Sequence, residues 1–115
     1  MKWEIEFYED SRGNVPVDEF YQSLTSKEEK VKCDWIIDLL EELGIELGMP
    51  YARPIKGTPL WELRPMANRI LYFLFTKENT FVLLHGFRKK TQETPKRHIE
   101  IALKRMDDYI ERRDD

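Results

Sequence analysis

Basic side chains crowd one short segment, residues 83–97, LLHGFRKKTQETPKR, which begins like a strand and ends like the start of a helix. Such cations attract a polyanion, and the free amides in the first turn of a helix strengthen that attraction. A run of charge is equally typical of a solvated loop, so the segment by itself leaves both interpretations open. Its cations are Arg88, Lys89, Lys90, Lys96 and Arg97.

Two more arginines, Arg64 and Arg69, flank a short link between two predicted strands, where their guanidinium groups can converge. A planar guanidinium group suits phosphate, because it can donate two hydrogen bonds to one group. For a single arginine, a surface salt bridge is the commoner arrangement, for example between Arg64 and Glu62. Two arginines beside the basic segment favour an anion-binding site.

A histidine in the last predicted strand, His85, titrates in the range that suits a general acid or base. Spacing alone favours the alternative, a partly buried histidine that is hydrogen-bonded to the backbone. His98 falls in the first turn of the last predicted helix, where we expect it to be exposed. Tyr72 and Phe87 could stack on a base of single-stranded RNA, although lone aromatic residues are more often part of the core.

Charge is divided unevenly along the chain. Residues 1–52 carry 5 Lys/Arg and 13 Asp/Glu, whereas residues 53–105 carry 12 and 4. This asymmetry suggests that one face of the molecule meets a polyanion, unless the two halves neutralise each other across the fold.

The length of 115 residues predicts one domain that covers residues 1–115. No apolar run approaches the roughly 18–20 residues that cross a membrane, and the charged N-terminus does not resemble a signal peptide. The single cysteine, Cys33, cannot form an internal disulfide, and no Cys/His cluster has metal-ligand spacing. We therefore expect a cytoplasmic protein that needs no metal or other cofactor.

Hydrophobic periodicity predicts the elements that position these residues. Alternation indicates a strand at 2–8, and helical spacing indicates helices at about 16–24 and 27–43, of which the second starts with the capping pair Ser26 and Glu29. Residues 44–59 hold three glycines and three prolines and are predicted to form a loop. The second helix has an apolar stripe that we expect to face the core: Val31, Trp35, Ile36, Leu39, Leu40 and Leu43.

Three further strands, at 60–66, 69–75 and 81–87, are joined by links short enough for hairpins, and Thr94-Pro95 starts a last amphipathic helix. The predicted fold class is α+β in the order β-α-α-β-β-β-α. It combines two layers, an antiparallel sheet of about four strands and an N-terminal helical hairpin, with a C-terminal helix. Gly86 leaves room for a bulge or a close approach. Strict alternation would place four residues on one face of the last strand: Phe81, Leu83, His85 and Phe87.

Residues 60–109, with the patterns LWELR, RILYF and HGFRKKTQETP, resemble the phage-derived HigB-like branch of the RelE/ParE toxin superfamily. The resemblance implies the toxin of a type II toxin–antitoxin pair that cleaves mRNA on the ribosome without a metal. The 2′-hydroxyl of the RNA would attack the adjacent phosphate. The implied partners are mRNA, the ribosome and a helix-turn-helix antitoxin of the HigA kind, in a toxin–antitoxin hetero-oligomer.

Carried over to this sequence, the catalytic positions of that family fall on basic residues. Arg64 and Arg69 would bind the phosphate, and His85 or Lys89 would move protons. Thr91 and Thr94-Pro95 would shape the loop. The full catalytic set is Arg64, Arg69, His85, Lys89 and Lys90, and the RNA-binding set is Tyr72, Phe87, Arg88, Thr91, Lys96 and Arg97. Two alternatives stay open: a ParE-like toxin that inhibits DNA gyrase by protein contact, and a phage-derived protein that binds RNA without cutting it.

Overall fold

A computed structural model describes residues 2–113. Two short 3-10 turns, Gly44–Glu46 and Thr76–Glu78, supplement the main elements. The chain forms, in order, β1 (Glu4–Phe7), α1 (Pro16–Ser23), α2 (Lys27–Leu43), β2 (Ala52–Pro54), β3 (Trp61–Leu63), β4 (Asn68–Phe75), β5 (Thr80–Arg88) and α3 (Lys96–Arg113). Within this part of the chain, no helix combines the length and the apolar character that crossing a bilayer requires.

Local sequence explains where the helices begin and end. Pro16 occupies the first turn of α1, where its missing N–H costs no hydrogen bond. The Ser26 hydroxyl accepts a hydrogen bond from the backbone N–H of Glu29 at 3.3 Å, which confirms the predicted cap of α2. The helix then stops at Gly44, whose φ of +56° suits glycine.

The strands form one sheet in the order β1-β5-β4-β3-β2. Strands β3 to β5 pair antiparallel, as predicted, and β2 adds to β3 antiparallel, but β1 pairs with β5 in parallel. The α+β class is confirmed, whereas the prediction of about four antiparallel strands misses β2. That strand lies inside the predicted loop, where its proline is tolerated because β2 is at the edge of the sheet.

Helices cover both faces of the sheet, so the molecule has three layers and not the two that we predicted. On one face, α1 and α2 pack on residues such as Ile70 and Tyr72 of β4. On the other face, α3 packs on Leu71 and Phe73 of the same strand. We call these the hairpin face and the α3 face.

A bulge in β5 decides which way its polar residues point. Leu71 pairs with His85 and Tyr72 pairs with Leu83, so Leu84 is an extra residue between them. As a result, Phe81 and Leu83 lie on the hairpin face while Phe87 lies on the α3 face. The prediction that these residues and His85 share one face is therefore wrong, because the alternation shifts at the bulge.

The stripe of α2 is wider than the face that the sheet covers. Ile36 and Leu40 are fully buried, as predicted. Val31, Trp35 and Leu43 are instead exposed, by 56%, 42% and 43%. The expectation that the whole stripe faces the core is wrong for these three residues.

Candidate functional site

A buried carboxylate organises the basic residues of the α3 face. Glu62, on β3, is completely buried. Its Oε2 lies 2.6 Å from Nη1 of Arg64 and 3.1 Å from Nη2 of Arg53, and its Oε1 accepts a hydrogen bond from the Thr94 hydroxyl at 2.6 Å. A buried carboxylate is costly unless it is paired in this way, so its partners are held in fixed positions.

Arg53 was missed by the sequence analysis, because it lies in the segment that we predicted to be a loop. The structure places it on β2, directly opposite Glu62 in the β2–β3 register. Its side chain keeps 42% of its surface exposed. The order of residues in YARP gives little indication of a strand, since Pro50 precedes the short run and Pro54 ends it.

Arg69 lies deeper in the same cluster. Its Nη1 donates hydrogen bonds to the backbone oxygens of Met66 at 2.8 Å and Asn68 at 2.7 Å, and its Nε lies 3.9 Å from the Glu62 carboxylate. Met66 has a φ of +59°, so the β3–β4 turn adopts a left-handed conformation where its carbonyl meets this guanidinium group. The structure thus brings Arg64 and Arg69 together around Glu62.

Lys89 completes what we call the cation cluster: Arg53, Arg64, Arg69 and Lys89. Its backbone N–H donates to the Ala67 oxygen at 2.8 Å, which fixes the start of the loop after β5. Partial burial lowers the pKa of the Lys89 ammonium group, and the positive charges of Arg69, Arg64 and Arg53 lower it further, against an opposing effect of Glu62.

His85 is engaged at both ring nitrogens. Its Nδ1 faces the Arg105 guanidinium group at 3.0 Å, and its Nε2 lies 2.7 Å from Nδ1 of His98. Because the arginine can only donate, His85 accepts at Nδ1 and donates from Nε2 to His98. Burial, with Arg105 and His98 nearby, lowers the pKa of His85 to about 4. His85 therefore has no free lone pair for a substrate in this arrangement.

His98 is only partly exposed, so the expectation of an exposed residue needs correction. Its ring stacks on Phe87, with centroids 3.9 Å apart and planes tilted by 7°. Phe87 is itself buried, so one of its faces is already occupied by this imidazole. Sequence spacing does not predict this stack or the partner Arg105, because both depend on how α3 docks on the bulged strand.

Tyr72 cannot stack on a base in this conformation. Its ring is completely buried on the hairpin face, between Trp61 and Phe81. The cation cluster lies around Glu62, on the opposite side of β3 from Trp61 and Leu63. Of the two predicted stacking residues, Tyr72 is therefore a core residue and Phe87 is covered.

The remaining predicted site residues are Arg88, Thr91, Lys96 and Arg97 of the RNA-binding set and Lys90 of the catalytic set. Arg88 donates to Glu29 of α2 at 2.6 Å, and hydrogen bonds from Arg88 and Asn68 lower the pKa of that carboxyl group. The Thr91 hydroxyl donates to the Glu93 oxygen at 2.8 Å within the loop. Solvent-exposed positions are occupied by Lys90, Lys96 and Arg97.

Thr94 has a different role from the predicted one. The helix α3 begins at Lys96, and the Thr94 hydroxyl binds Glu62 where we expected it to cap the helix. An open groove beside it runs between β2 and the loop that precedes α3, with Arg53, Lys56, Gln92 and Ile99 along its walls. Among residues 2–113, no three His, Cys, Asp or Glu side chains are grouped so that they could hold a metal ion.

The family model described as "Phage derived protein Gp49-like (DUF891)" matches residues 22–107, which is most of the chain. The chain belongs to this Gp49-like family. The membership confirms the phage-derived, RelE/HigB-type toxin family indicated by residues 60–109. No curated protein matches the sequence.

Solved structures of RelE toxins share the fold. The archaeal RelE–RelB complex from Pyrococcus horikoshii OT3 aligns with a TM-score of 0.59 and 18% identity, over 81% of this chain and 100% of that one. An arginine-to-alanine double mutant of E. coli toxin RelE in the free state gives 0.62 and 16%, over 91% and 98%. The RelBE2 toxin–antitoxin complex from Mycobacterium tuberculosis gives 0.57 and 12%, over 77% and 100%. The Gp49-like chain therefore has a RelE-like fold.

Proposed function

We propose that this chain is the toxin of a type II toxin–antitoxin system and that it cleaves mRNA on the ribosome. The observation that carries the proposal is the cation cluster, in which three arginines lie 2.6 to 3.9 Å from one buried carboxylate on the α3 face and their charges act on Lys89. Such an excess of preorganised positive charge fits the phosphate that gains negative charge as RNA is cut. A groove beside the cluster offers a path for the neighbouring nucleotides.

The arginines are buried to different extents, so they would act on the phosphate in different ways. Arg53 and Arg64 have side chains that are 42% and 18% exposed, so each can reach the scissile phosphate while Glu62 holds its other donors. The side chain of Arg69 is only 9% exposed, so it would stabilise the phosphate through its charge and without direct contact. Preorganised donors of this kind stabilise a transition state because they need not rearrange as charge develops.

Lys89 is the best placed group for proton transfer. A lysine is a base only in its neutral form, and the lowered pKa of Lys89 raises the fraction of that form. The neutral amine takes the proton of the 2′-hydroxyl, whose oxygen bonds to phosphorus while the bond to the 5′-oxygen breaks. The products are a 2′,3′-cyclic phosphate and a 5′-hydroxyl, with the leaving oxygen protonated by solvent. His85 is not used, because Arg105 and His98 engage both of its nitrogens.

We propose an antitoxin as the second partner, of the helix-turn-helix, HigA-like kind, in a toxin–antitoxin hetero-oligomer. Two of the structures with the same fold are described as complexes with an antitoxin, the P. horikoshii RelE–RelB complex and the M. tuberculosis RelBE2 complex. The fold shared with these two toxins is what supports an antitoxin as the partner of this chain.

Induced expression in bacteria, followed by mapping of mRNA 5′ ends, tests the proposed function. We expect growth arrest with cuts that are phased with codons and that leave 5′-hydroxyl ends. Arrest with intact mRNA and a DNA-damage response would favour gyrase inhibition of the ParE kind. Binding of RNA without any new 5′ ends would favour the non-catalytic alternative.

Substitutions at Lys89 separate charge from proton transfer. Lys89→Arg keeps the positive charge but stays protonated, so RNA binding should persist while cleavage falls by about 100-fold or more, the usual size of a general-base contribution. Arg64→Ala and Lys89→Ala should both relieve toxicity. Lys104→Ala, at an exposed lysine of α3, is the matched control and should remain toxic. Full toxicity of all three cluster variants would reject the proposed site.

A further inference from the structure

An exposed apolar surface lies on the hairpin side of the molecule, where the proposed function places nothing. Val31 and Trp35 of α2 and Met66 of the β3–β4 turn line one shallow depression, together with Glu28 and Lys32. Met66 is 45% exposed, comparable to the two α2 residues. We call Val31, Trp35 and Met66 the α2 patch. Contiguous exposed apolar surface of this kind marks an interaction site in a folded protein.

The α2 patch is held in a fixed shape. The Trp35 ring packs edge-on against Tyr51, with centroids 5.3 Å apart, and the Lys32 ammonium group lies 4.4 Å from the centre of the Trp35 ring. On the buried side of the same helix, Ile36 and Leu40 anchor α2 to the sheet. A partner would therefore meet a preformed surface and would lose little free energy to ordering it.

The charge around the α2 patch restricts what can bind there. Two of the lysines on α2 lie over aromatic rings, Lys30 over Tyr21 and Lys32 over Trp35, so their stems cover apolar surface. The exposed carboxylates on this helix and the turn after it are Glu28, Asp34, Asp38, Glu42 and Glu46. These carboxylates give the α2 patch acidic surroundings, which repel RNA and complement a basic partner.

We propose that the α2 patch docks the antitoxin through a segment with apolar residues at its centre and lysine or arginine at its edges. The identity of the partner rests on the proposed function, whereas its chemistry rests on the patch. The α2 patch is also connected to the cation cluster, because the Met66 carbonyl accepts a hydrogen bond from Arg69 at 2.8 Å. A partner bound at Met66 would therefore contact the turn whose carbonyl oxygen holds the Arg69 guanidinium group.

The test uses the full chain and the protein encoded by the adjacent reading frame, with their affinity measured by titration calorimetry. Val31→Arg and Trp35→Arg each remove apolar area and add a repelling charge, so each should weaken binding at least tenfold. Leu43→Arg is the matched control, an exposed residue of α2 about 12 Å beyond Trp35. It should change affinity less than threefold. Val31→Ala places a good helix former at this exposed position and adds no charge. It should therefore weaken binding by a smaller factor than Val31→Arg.

Three outcomes would overturn the proposal: unchanged affinity in both arginine variants, equal loss in Leu43→Arg, or no binding of the neighbouring protein to the wild-type chain. Sedimentation of the chain alone adds a fourth, a dimer that Val31→Arg dissociates, which would make the patch a contact between two copies. The variants should still arrest growth without antitoxin. If mRNA stays intact while these affinities change as expected, the proposed nuclease fails and the docking surface stands.

Discussion

At the residue scale, the buried carboxylate of Glu62 determines how several charged side chains are arranged. Each arginine of the cation cluster would be ordinary as a surface ion pair worth little. Held by one carboxylate that water does not reach, they become a fixed array. Sequence alternation places Glu62 and Arg64 on one face, but it does not reveal that Arg53 and Thr94 meet them there.

Tyr72 offers a test of the distinction between core and site. Its hydroxyl is buried without a hydrogen-bond partner among the described residues, so Tyr72→Phe removes a polar group that gains nothing in the folded state. We expect the free energy of unfolding to stay the same or to rise by about 1 kcal/mol, and toxicity to be unchanged. Urea unfolding and a growth assay measure both. Lost toxicity in a stable variant would mean that the hydroxyl takes part in RNA recognition.

His85 predicts how stability depends on pH. Its pKa in the folded chain is about 4, below the ordinary value of 6.5, so between these values the unfolded chain binds more protons. The free energy of unfolding should therefore fall as the pH drops from 6.5 to 4, with roughly 2–3 kcal/mol attributable to His85. Burial is the main cause of this lowered pKa, and the charged groups that add to it are Arg105 and His98.

Denaturant unfolding at several pH values measures this effect. His85→Gln can still accept from Arg105 and donate to His98, but it does not titrate. The variant should show a shallower decline in stability between pH 6.5 and 4 than the wild type. Parallel curves for the two proteins would show that His85 is protonated in the folded chain at higher pH than we expect.

At the scale of elements, the sequence predicts those helices and strands whose positions depend on the local residue pattern. Ser26 and Glu29 predict the start of α2, and alternation predicts the strand that holds Arg69 and the two strands that Arg64 and Lys89 directly follow. Pro50 and Pro54, before β2 and at its end, make the strand hard to predict, because its conformation comes from pairing with β3 and not from its own residues. The local sequence does not predict the bulge at Leu84 either. This bulge turns His85 toward Arg105 of α3.

Gly86 links β5 to α1 by close approach. A Cβ at this position would lie 2.5 Å from Cδ2 and 2.7 Å from Cγ of the Phe20 ring. Gly86→Ala should therefore destabilise the fold by about 1–3 kcal/mol, because α1 must move away from the sheet. Gly48→Ala is the control, since a Cβ there meets nothing within 4 Å. Thermal unfolding compares the two, and equal melting temperatures would show that α1 yields without cost.

At the scale of the whole molecule, charge separates the two faces of the sheet. The N-terminal hairpin, α1 and α2, carries 8 of the 13 Asp/Glu of residues 1–52 and 3 lysines, whereas the cation cluster lies on the α3 face. The predicted division of charge thus has a spatial counterpart. Only part of it is cancelled within the fold, for example where Arg88 binds Glu29.

This separation predicts a measurable salt dependence of RNA binding. For single strands, the logarithm of affinity falls with the logarithm of salt by about 0.7 for each phosphate contact. Arg64→Ala should therefore reduce the slope by about 0.7, as read by fluorescence anisotropy of a labelled single-stranded RNA. Lys104→Ala should leave it unchanged. A slope that does not respond to Arg64 would place the phosphate contacts elsewhere.

The parallel pairing of β1 with β5 has a consequence for the newly made chain. The first strand to leave the ribosome finds its neighbour in the sheet only when the last strand has been synthesised. Contacts so distant in sequence form late. A nascent chain that stalls before Thr80 lacks the strand residues with which β1 pairs, and it also lacks Lys89 and Thr94. Lys89 directly follows the last strand of the sheet, so translation products that end before Lys89 do not carry the complete cation cluster.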